Sequence, residues 1–362
     1  MKITVIAVTK SGVELAQRVS QCLTRAGHQV KTYKPAHLPG EGTPYVQPLS
    51  LLVGREFSLC QGMVLIMALG IAVRVLAPHL RSKVSDPGVV VMDEKGNFAI
   101  SLLGGHMGGA NQLARELAAA TGAVPVITTA TEAQGLLAVD VLAQKYNLAI
   151  ESLEKAKKVN ACLVNGDGEV FISSEFPLPL PQKGYKIIPW PEATSAGFTG
   201  WLVLITNRVF DPPSPKVLFL RPRNLVAGIG CRKGVGAETV KSALFCALSL
   251  AGRSAASLRA LATIERRSGE EGLQEVAREL GLPLAAFTAE EINNLLEKAP
   301  HLSRSSFVKE RIGVEGVCEP TALLAAPRGQ LILGKTRVGG VTVALAEESY
   351  GWWEQARETR ST

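Results

Sequence analysis

The chain has few aromatics, no paired cysteines and no long apolar run, and each shortage closes a class of function. Aromatic residues make up only 5% of the 362. A nucleic-acid surface draws on a basic stripe with interleaved aromatics, so nucleic acid is not an expected partner. The net charge of +7 is modest and spread along the chain. Its densest basic run, Lys155, Lys157 and Lys158, stands beside Glu151 and Glu154 and reads as a solvated helix face. The six cysteines (Cys22, Cys60, Cys162, Cys231, Cys246, Cys318) form no C-x-x-C pair, which argues against a zinc site or a redox dithiol. We therefore expect no metal-ligand set. No segment approaches the roughly 18 apolar residues of a membrane span. The opening MKITVIAVTKSG lacks the apolar core of a signal peptide. Together these predict a reducing, cytoplasmic location and no membrane partner.

What is present is globular. Hydrophobic residues are 46% and charged residues 20%, and the length suits two or three domains. Residues 3–8, 63–68, 89–92, 97–102 and 124–127 read as strands, with Asp93-Glu94-Lys95-Gly96 as a hairpin turn. Residues 12–26, 71–80 (broken at Pro78) and 108–120 carry helical periodicity, closed by Gly27 and Gly122 at the first and last. From about residue 136 the character changes. Asn165-Gly166-Asp167-Gly168 reads as a hairpin between 161–164 and 170–173, and prolines cluster at 177–191 and 212–215. After residue 222 strand and helix alternate again. The expected class is α/β: an N-terminal open-sheet domain over 1–135, a small β-rich middle domain or linker over 136–222, a C-terminal α/β domain over 223–350, and a tail over 351–362.

Two glycine-rich loops carry the chemistry. The first, Gly-Gly-His-Met-Gly-Gly-Ala-Asn at 104–111, follows a strand and opens a helix. Gly104, Gly105, Gly108 and Gly109 permit positive φ and a close backbone approach. The helix start offers unpaired N–H groups to a carboxylate or an oxyanion. His106 is the candidate general base or acid, and Asn111 a candidate oxyanion donor or helix cap. The bland alternative is a tight turn with a surface histidine. The second loop, Gly228-Ile-Gly-Cys-Arg-Lys-Gly-Val-Gly236, fails the G-x-G-x-x-G dinucleotide fingerprint because Lys233 holds the last place. Gly230, Cys231, Arg232, Lys233 and Gly234 instead form a basic turn suited to an anion, or simply to solvent. A helix start lowers a thiol pKa, which makes Cys231 a candidate nucleophile.

Residues 329–336, Gly-Gln-Leu-Ile-Leu-Gly-Lys-Thr, satisfy the G-x-x-x-x-G-K-[ST] pattern of nucleotide hydrolases. Leu331, Ile332 and Leu333 inside it read as a strand, and the required helix is missing. Lys335 is kept only as a substrate or structural cation. Arg74 is a candidate carboxylate partner, and Asp86 caps a turn. Glu265 at a strand end and Glu319 at a helix entry are candidate catalytic carboxylates, each with a structural role as the alternative.

The stretch 70–132 resembles the N-terminal domain of the cobalamin-biosynthesis protein CbiG. LVAGIGCRKGVGAETV, SFVKERIGVEGVCEPTALLAA and the segment from Lys335 to VTVALA resemble its C-terminal domain, which is similar to CobE. The order and spacing match across 51–132 and 223–346. One departure is Thr263-Ile264-Glu265-Arg266-Arg267, where the family carries a Ser-Ile-Asp type of segment. The resemblance implies a cobalt-precorrin-5A hydrolase of anaerobic vitamin B12 synthesis. Such an enzyme opens a δ-lactone and expels C20 as acetaldehyde, giving cobalt-precorrin-5B. It implies water as nucleophile, no cofactor, and cobalt carried in by the tetrapyrrole substrate. Neighbouring enzymes of the pathway are candidate partners. The CobE likeness implies the alternative, a non-catalytic carrier of a corrinoid intermediate.

Overall fold

A computed structural model describes residues 1–82, 85–106, 108–194, 197–212, 214–349 and 351. Met107 of the first loop, and the expected tail apart from Gly351, lie outside the described residues. The described residues form two compact units, Met1–Gln144 and a second that begins at Lys145.

The first unit is built on β1 (Lys2–Ala7), β2 (Gln29–Pro35), β3 (Thr43–Tyr45), β4 (Gly62–Ile66), β5 (Gly88–Met92), β6 (Phe98–Leu103) and β7 (Val124–Val126). Their order is β3-β2-β1-β4-β5-β6-β7. The first five run parallel, whereas β6 is antiparallel to β5 and carries β7 parallel to itself. The strands MVLI and VVVM are apolar throughout because both faces are covered. The helices Lys10–Arg25 and Ala110–Thr121 bury Val13, Ala16, Leu113 and Leu117 against Val5, Val64 and Val90. Leu52, Phe57, Ala72 and Leu76 cover Ile6, Leu65 and Val91 on the other face. Thr9 caps the helix Lys10–Arg25 by accepting the Gly12 N–H at 3.1 Å. The helix Leu69–Leu76 gives way at Pro78 to a 3-10 turn, Ala77–His79.

In the second unit β8 (Leu148–Ile150), β9 (Val170–Ser174), β10 (Lys186–Ile187), β11 (Trp201–Ile205) and β12 (Val217–Pro222) form a sheet of order β10-β9-β11-β12-β8. All but β8 are parallel. The expected hairpin at 165–168 is corrected. Residues 153–165 are a helix with Ala156, Val159, Cys162 and Leu163 inward, closed by Gly166 at φ 66°. The apolar spacing of three and four outweighs the turn signal, and Asn-Gly here ends a helix. The middle region is thus itself α/β.

The last sheet joins β13 (Leu225–Gly230), β14 (Leu258–Ile264), β15 (Leu284–Phe287), β16 (Gly329–Val338) and β17 (Val341–Glu348), ordered β15-β14-β13-β17-β16. β13, β14 and β15 are parallel, and β17 returns antiparallel beside β13. The helices Ala237–Leu250 and Glu271–Glu279 cover one face, and Ala289–Lys298 and Cys318–Leu324 pack on the other. Asn224 stitches the two sheets of this unit. It accepts from Asn207 Nδ2 at 3.0 Å and donates to the Glu348 carbonyl at 2.9 Å.

Candidate functional site

Because β6 runs against β5, it delivers the 104–109 loop to the edge where the parallel strands begin. Leu103 pairs with Val89, and Gly88 at the head of β5 lies under the Gly108 carbonyl. The loop is therefore not at the carboxyl edge where open α/β sheets usually bind ligands. Its glycines are needed for packing. A Cβ on Gly104 would sit 3.1 Å from Gly88 Cα, and one on Gly108 2.8 Å from Gly88 N. One on Gly105 would meet Asn111 Oδ1 at 2.9 Å. Gly104 and Gly109 hold φ of 65° and 78°.

The expected supply of free amides shrinks accordingly. Gly109 N–H donates to the His106 carbonyl at 3.0 Å, and the Ala110 and Asn111 amides to the Gly104 and Gly105 carbonyls at 3.1 and 2.9 Å. Asn111 is neither cap nor free donor. Only 3% exposed, it accepts from Ser101 Oγ at 2.7 Å and donates to Thr129 Oγ1 at 3.1 Å. The helix begins at Gly109 with no side-chain cap.

His106 remains chemically open. Its Nε2 lies 3.0 Å from Thr131 Oγ1, and Thr131 is buried. Its Nδ1 is buried with no hydrogen-bond partner among the described residues. When Nε2–H donates to the threonine, Nδ1 presents a lone pair, as a base requires. A buried polar atom left unmatched is costly and calls for a ligand or water. Arg74 stands exposed on the helix that leaves the carboxyl end of β4, and among the described residues no hydrogen bond or ion pair joins it to this loop.

The second loop lies at the carboxyl edge of β13, where the chain order reverses between β14 and β17. Gly230 is pinned by Thr342 Oγ1, which donates to its carbonyl at 3.1 Å. Arg232 and Lys233 are exposed, and the Arg232 guanidinium lies close to Gly340 in the β16–β17 turn. A Cβ on Gly234 or Gly236 would meet nothing within 4 Å, so this loop, unlike the first, has open space before it. Glu265 follows β14 at the same edge and is exposed. The structure thus brings Gly230, Cys231, Arg232, Lys233, Gly234 and Glu265 to one edge. The Cys231 thiol is pushed up, first by burial and then by the Glu270 carboxylate, which corrects the expectation of a lowered value.

Glu319 is 5% exposed and fully engaged. Its Oε2 accepts the Ser303 N–H at 2.6 Å, and its Oε1 accepts Ser303 Oγ at 3.0 Å and the Lys335 N–H at 2.8 Å. The carboxylate ties the start of the helix Cys318–Leu324 to β16. Lys335 itself is exposed. The whole 329–336 motif lies within β16 and is followed by β17, so no helix start faces it. Asp86 accepts from the Arg81 and Ser82 amides at 3.0 and 3.2 Å, as a turn cap does.

Sequence reasoning missed Thr131, Thr129 and Ser101, which hold His106 and Asn111. Ser101 sits within β6, Thr131 in the short helix Ala130–Ala133 and Thr129 just before it, and single hydroxyls of this kind carry no spacing signal. It also missed Glu270, whose Oε2 accepts the Gly234 N–H at 2.8 Å. No helix among the described residues is long and apolar enough to cross a membrane.

Three family models match in succession: Cobalamin synthesis G N-terminal over 52–132, Cobalamin biosynthesis central region over 137–222, and Cobalamin synthesis G C-terminus over 225–346. The chain is 33% identical to "Cobalt-precorrin-5A hydrolase" of Priestia megaterium over 94% of each chain. It is 34% identical to the protein of that name from Salmonella typhimurium, covering 95% of this chain and 97% of that one. Protein CobE of Sinorhizobium sp is 32% identical over 34% of this chain and 79% of its own length.

Proposed function

This chain belongs to the cobalamin-synthesis G family, and on that premise we propose its activity and the residues that serve it. It is a cobalt-precorrin-5A hydrolase of cobalamin biosynthesis. The observation that carries this is correspondence over nearly the whole length with two curated relatives of that name. The family-model limits also support domain boundaries near 135/136 and 222/223. All six cysteines are free, which suits a reducing cytoplasm.

In the proposed reaction water attacks the δ-lactone carbonyl, and the resulting tetrahedral oxyanion collapses to the carboxylate with the C20 oxygen as leaving group. His106 Nδ1 takes the proton of the attacking water and returns it to that oxygen. Thr131 holds Nε2 and so fixes the ring's orientation. His106, neutral again, then takes the proton of the freed hydroxyl, C20 leaves as acetaldehyde, and the macrocycle retains the electron pair of the broken carbon–carbon bond. Neither step consumes an oxidant or a nicotinamide, so the reading needs no cofactor, and the cobalt travels with the substrate. The second loop is the proposed anchor. A carboxylate-fringed macrocycle suits exposed Arg232 and Lys233 beside open glycines. Glu265 on the same edge is kept as a candidate catalytic carboxylate.

The carrier reading rests on the CobE likeness of the C-terminal third. Anoxic incubation of the purified protein with cobalt-precorrin-5A separates the two. Acetaldehyde released in many equivalents per chain is the expected result. Tight binding without release would establish a carrier instead.

A further inference from the structure

We propose that Glu270 is a positioning residue that preshapes the 231–236 loop, so that Arg232 and Lys233 meet the substrate's carboxylates without a prior rearrangement. This rests on the reading of that loop as the substrate anchor.

Glu270 occupies the N-cap position of the helix Glu271–Glu279 yet makes no side-chain cap bond to it. Glutamate is a poor N-cap, and this one turns away from its own helix. Its Oε2 accepts the Gly234 N–H at 2.8 Å, and its Oε1 accepts from Arg267 Nη1 at 2.8 Å. The Arg267 and Glu270 side chains are 22% and 13% exposed, so the pair is largely shielded from water. Gly234 takes φ of 73°, and its amide bond to Glu270 holds the turn at that point. An independent contact shapes the same loop. Gly272, the second residue of the helix, has the Val235 carbonyl against it, where a Cβ would collide, and Ala237 N only 2.8 Å from that Cβ position.

The result is a loop braced from behind by Glu270 and Gly272, with Arg232 and Lys233 exposed in front. Bracing lowers the entropy lost when the two cations engage an anion. The Glu270 carboxyl is held below its ordinary value, first by the Gly234 amide and then by Arg267. The brace therefore persists at neutral pH and is released only as pH falls through that lowered pKa.

The test is an anoxic absorbance titration with cobalt-precorrin-5A, which reads affinity whether or not the chain turns over. Amide exchange at Gly234 is followed in parallel. The variants are Glu270→Ala, Glu270→Gln, Gly272→Ala and the double variant Arg232→Ala/Lys233→Ala. Glu270→Ala should weaken binding about tenfold and speed exchange at Gly234. Glu270→Gln, which keeps an acceptor for that amide, should recover most of the affinity. Gly272→Ala should resemble Glu270→Ala. Unchanged affinity in Glu270→Ala, with the double variant weakened, overturns the positioning role and leaves the anchor reading intact. Unchanged affinity in the double variant removes the anchor reading and this inference with it. Should Glu270→Ala fail to fold, Glu270→Gln and Gly272→Ala carry the comparison. Loss of fold in all three would overturn the proposal, because Glu270 would then hold the domain rather than the loop.

Discussion

His106 is the residue on which the proposed chemistry turns. It has one ring nitrogen on Thr131 and the other buried without a partner among the described residues. Replacing it by alanine should lower the rate of acetaldehyde release by about 10² to 10⁴. Thr131→Val should act through the ring's orientation and cost less, about tenfold, with substrate affinity unchanged. Glu319 should behave in the opposite way. Glu319→Ala leaves the Ser303 and Lys335 amides without their acceptor and should cost about 3 kcal/mol in denaturant unfolding. Glu319→Gln, which keeps an acceptor oxygen, should retain the reaction rate. A rate lost in Glu319→Gln at unchanged stability would return that carboxylate to the catalytic group. Among the thiols, Cys318 is pushed up to about 11 by burial, and Cys231 is also raised. Thiolate is the reactive form, so both should resist alkylation at pH 8 in the native protein and react once it is unfolded.

At the scale of elements, the two glycine-rich loops look alike in sequence and differ in structure. Each joins a strand to a helix, and each is a candidate anion site, the first through its backbone amides and the second through Arg232 and Lys233. In the first loop, Gly104, Gly105 and Gly108 are spent on contacts with Gly88, Asn111 and one another, whereas Gly234 and Gly236 face open space. Sequence alone could not separate these cases, because the partner of Gly108 is Gly88, reached only once β6 runs back along β5. Gly88→Ala would drive a Cβ into the Gly108 carbonyl. It should cost about 2 kcal/mol and displace the His106 loop, read as a lower thermal midpoint together with a slower reaction. Strands buried on both faces, such as β4 and β5, are legible from their apolar runs. β2, β3 and the helices Ala289–Lys298 and Ser306–Ile312 carry no comparable signal. Short or mixed-polarity segments such as QVKTYKP owe their conformation to their neighbours in the sheet. The hairpin expected at 165–168 failed for the complementary reason. An Asn-Gly pair serves a helix end as well as a turn, and only the burial of Val159 and Leu163 decides between them.

For the whole molecule, the alternation of strands and helices pointed to α/β architecture in the outer thirds, and the middle third proved to be α/β as well. Family membership was legible from motif order, whereas the roles of individual residues were not, because hydrogen-bond partners come from distant segments. Glu319 and Ser303, or Glu270 and Gly234, meet only through the fold. On the proposed mechanism this chain itself turns over cobalt-precorrin-5A, with His106 as its base. The most direct measurement is acetaldehyde formed per chain over time, under anoxic conditions, for the wild-type protein and His106→Ala side by side. We predict many turnovers for the wild type and a rate lower by at least about 10² for the variant, with both proteins folded and binding substrate. Equal rates in the two proteins, or no more than one acetaldehyde per wild-type chain, would contradict the account.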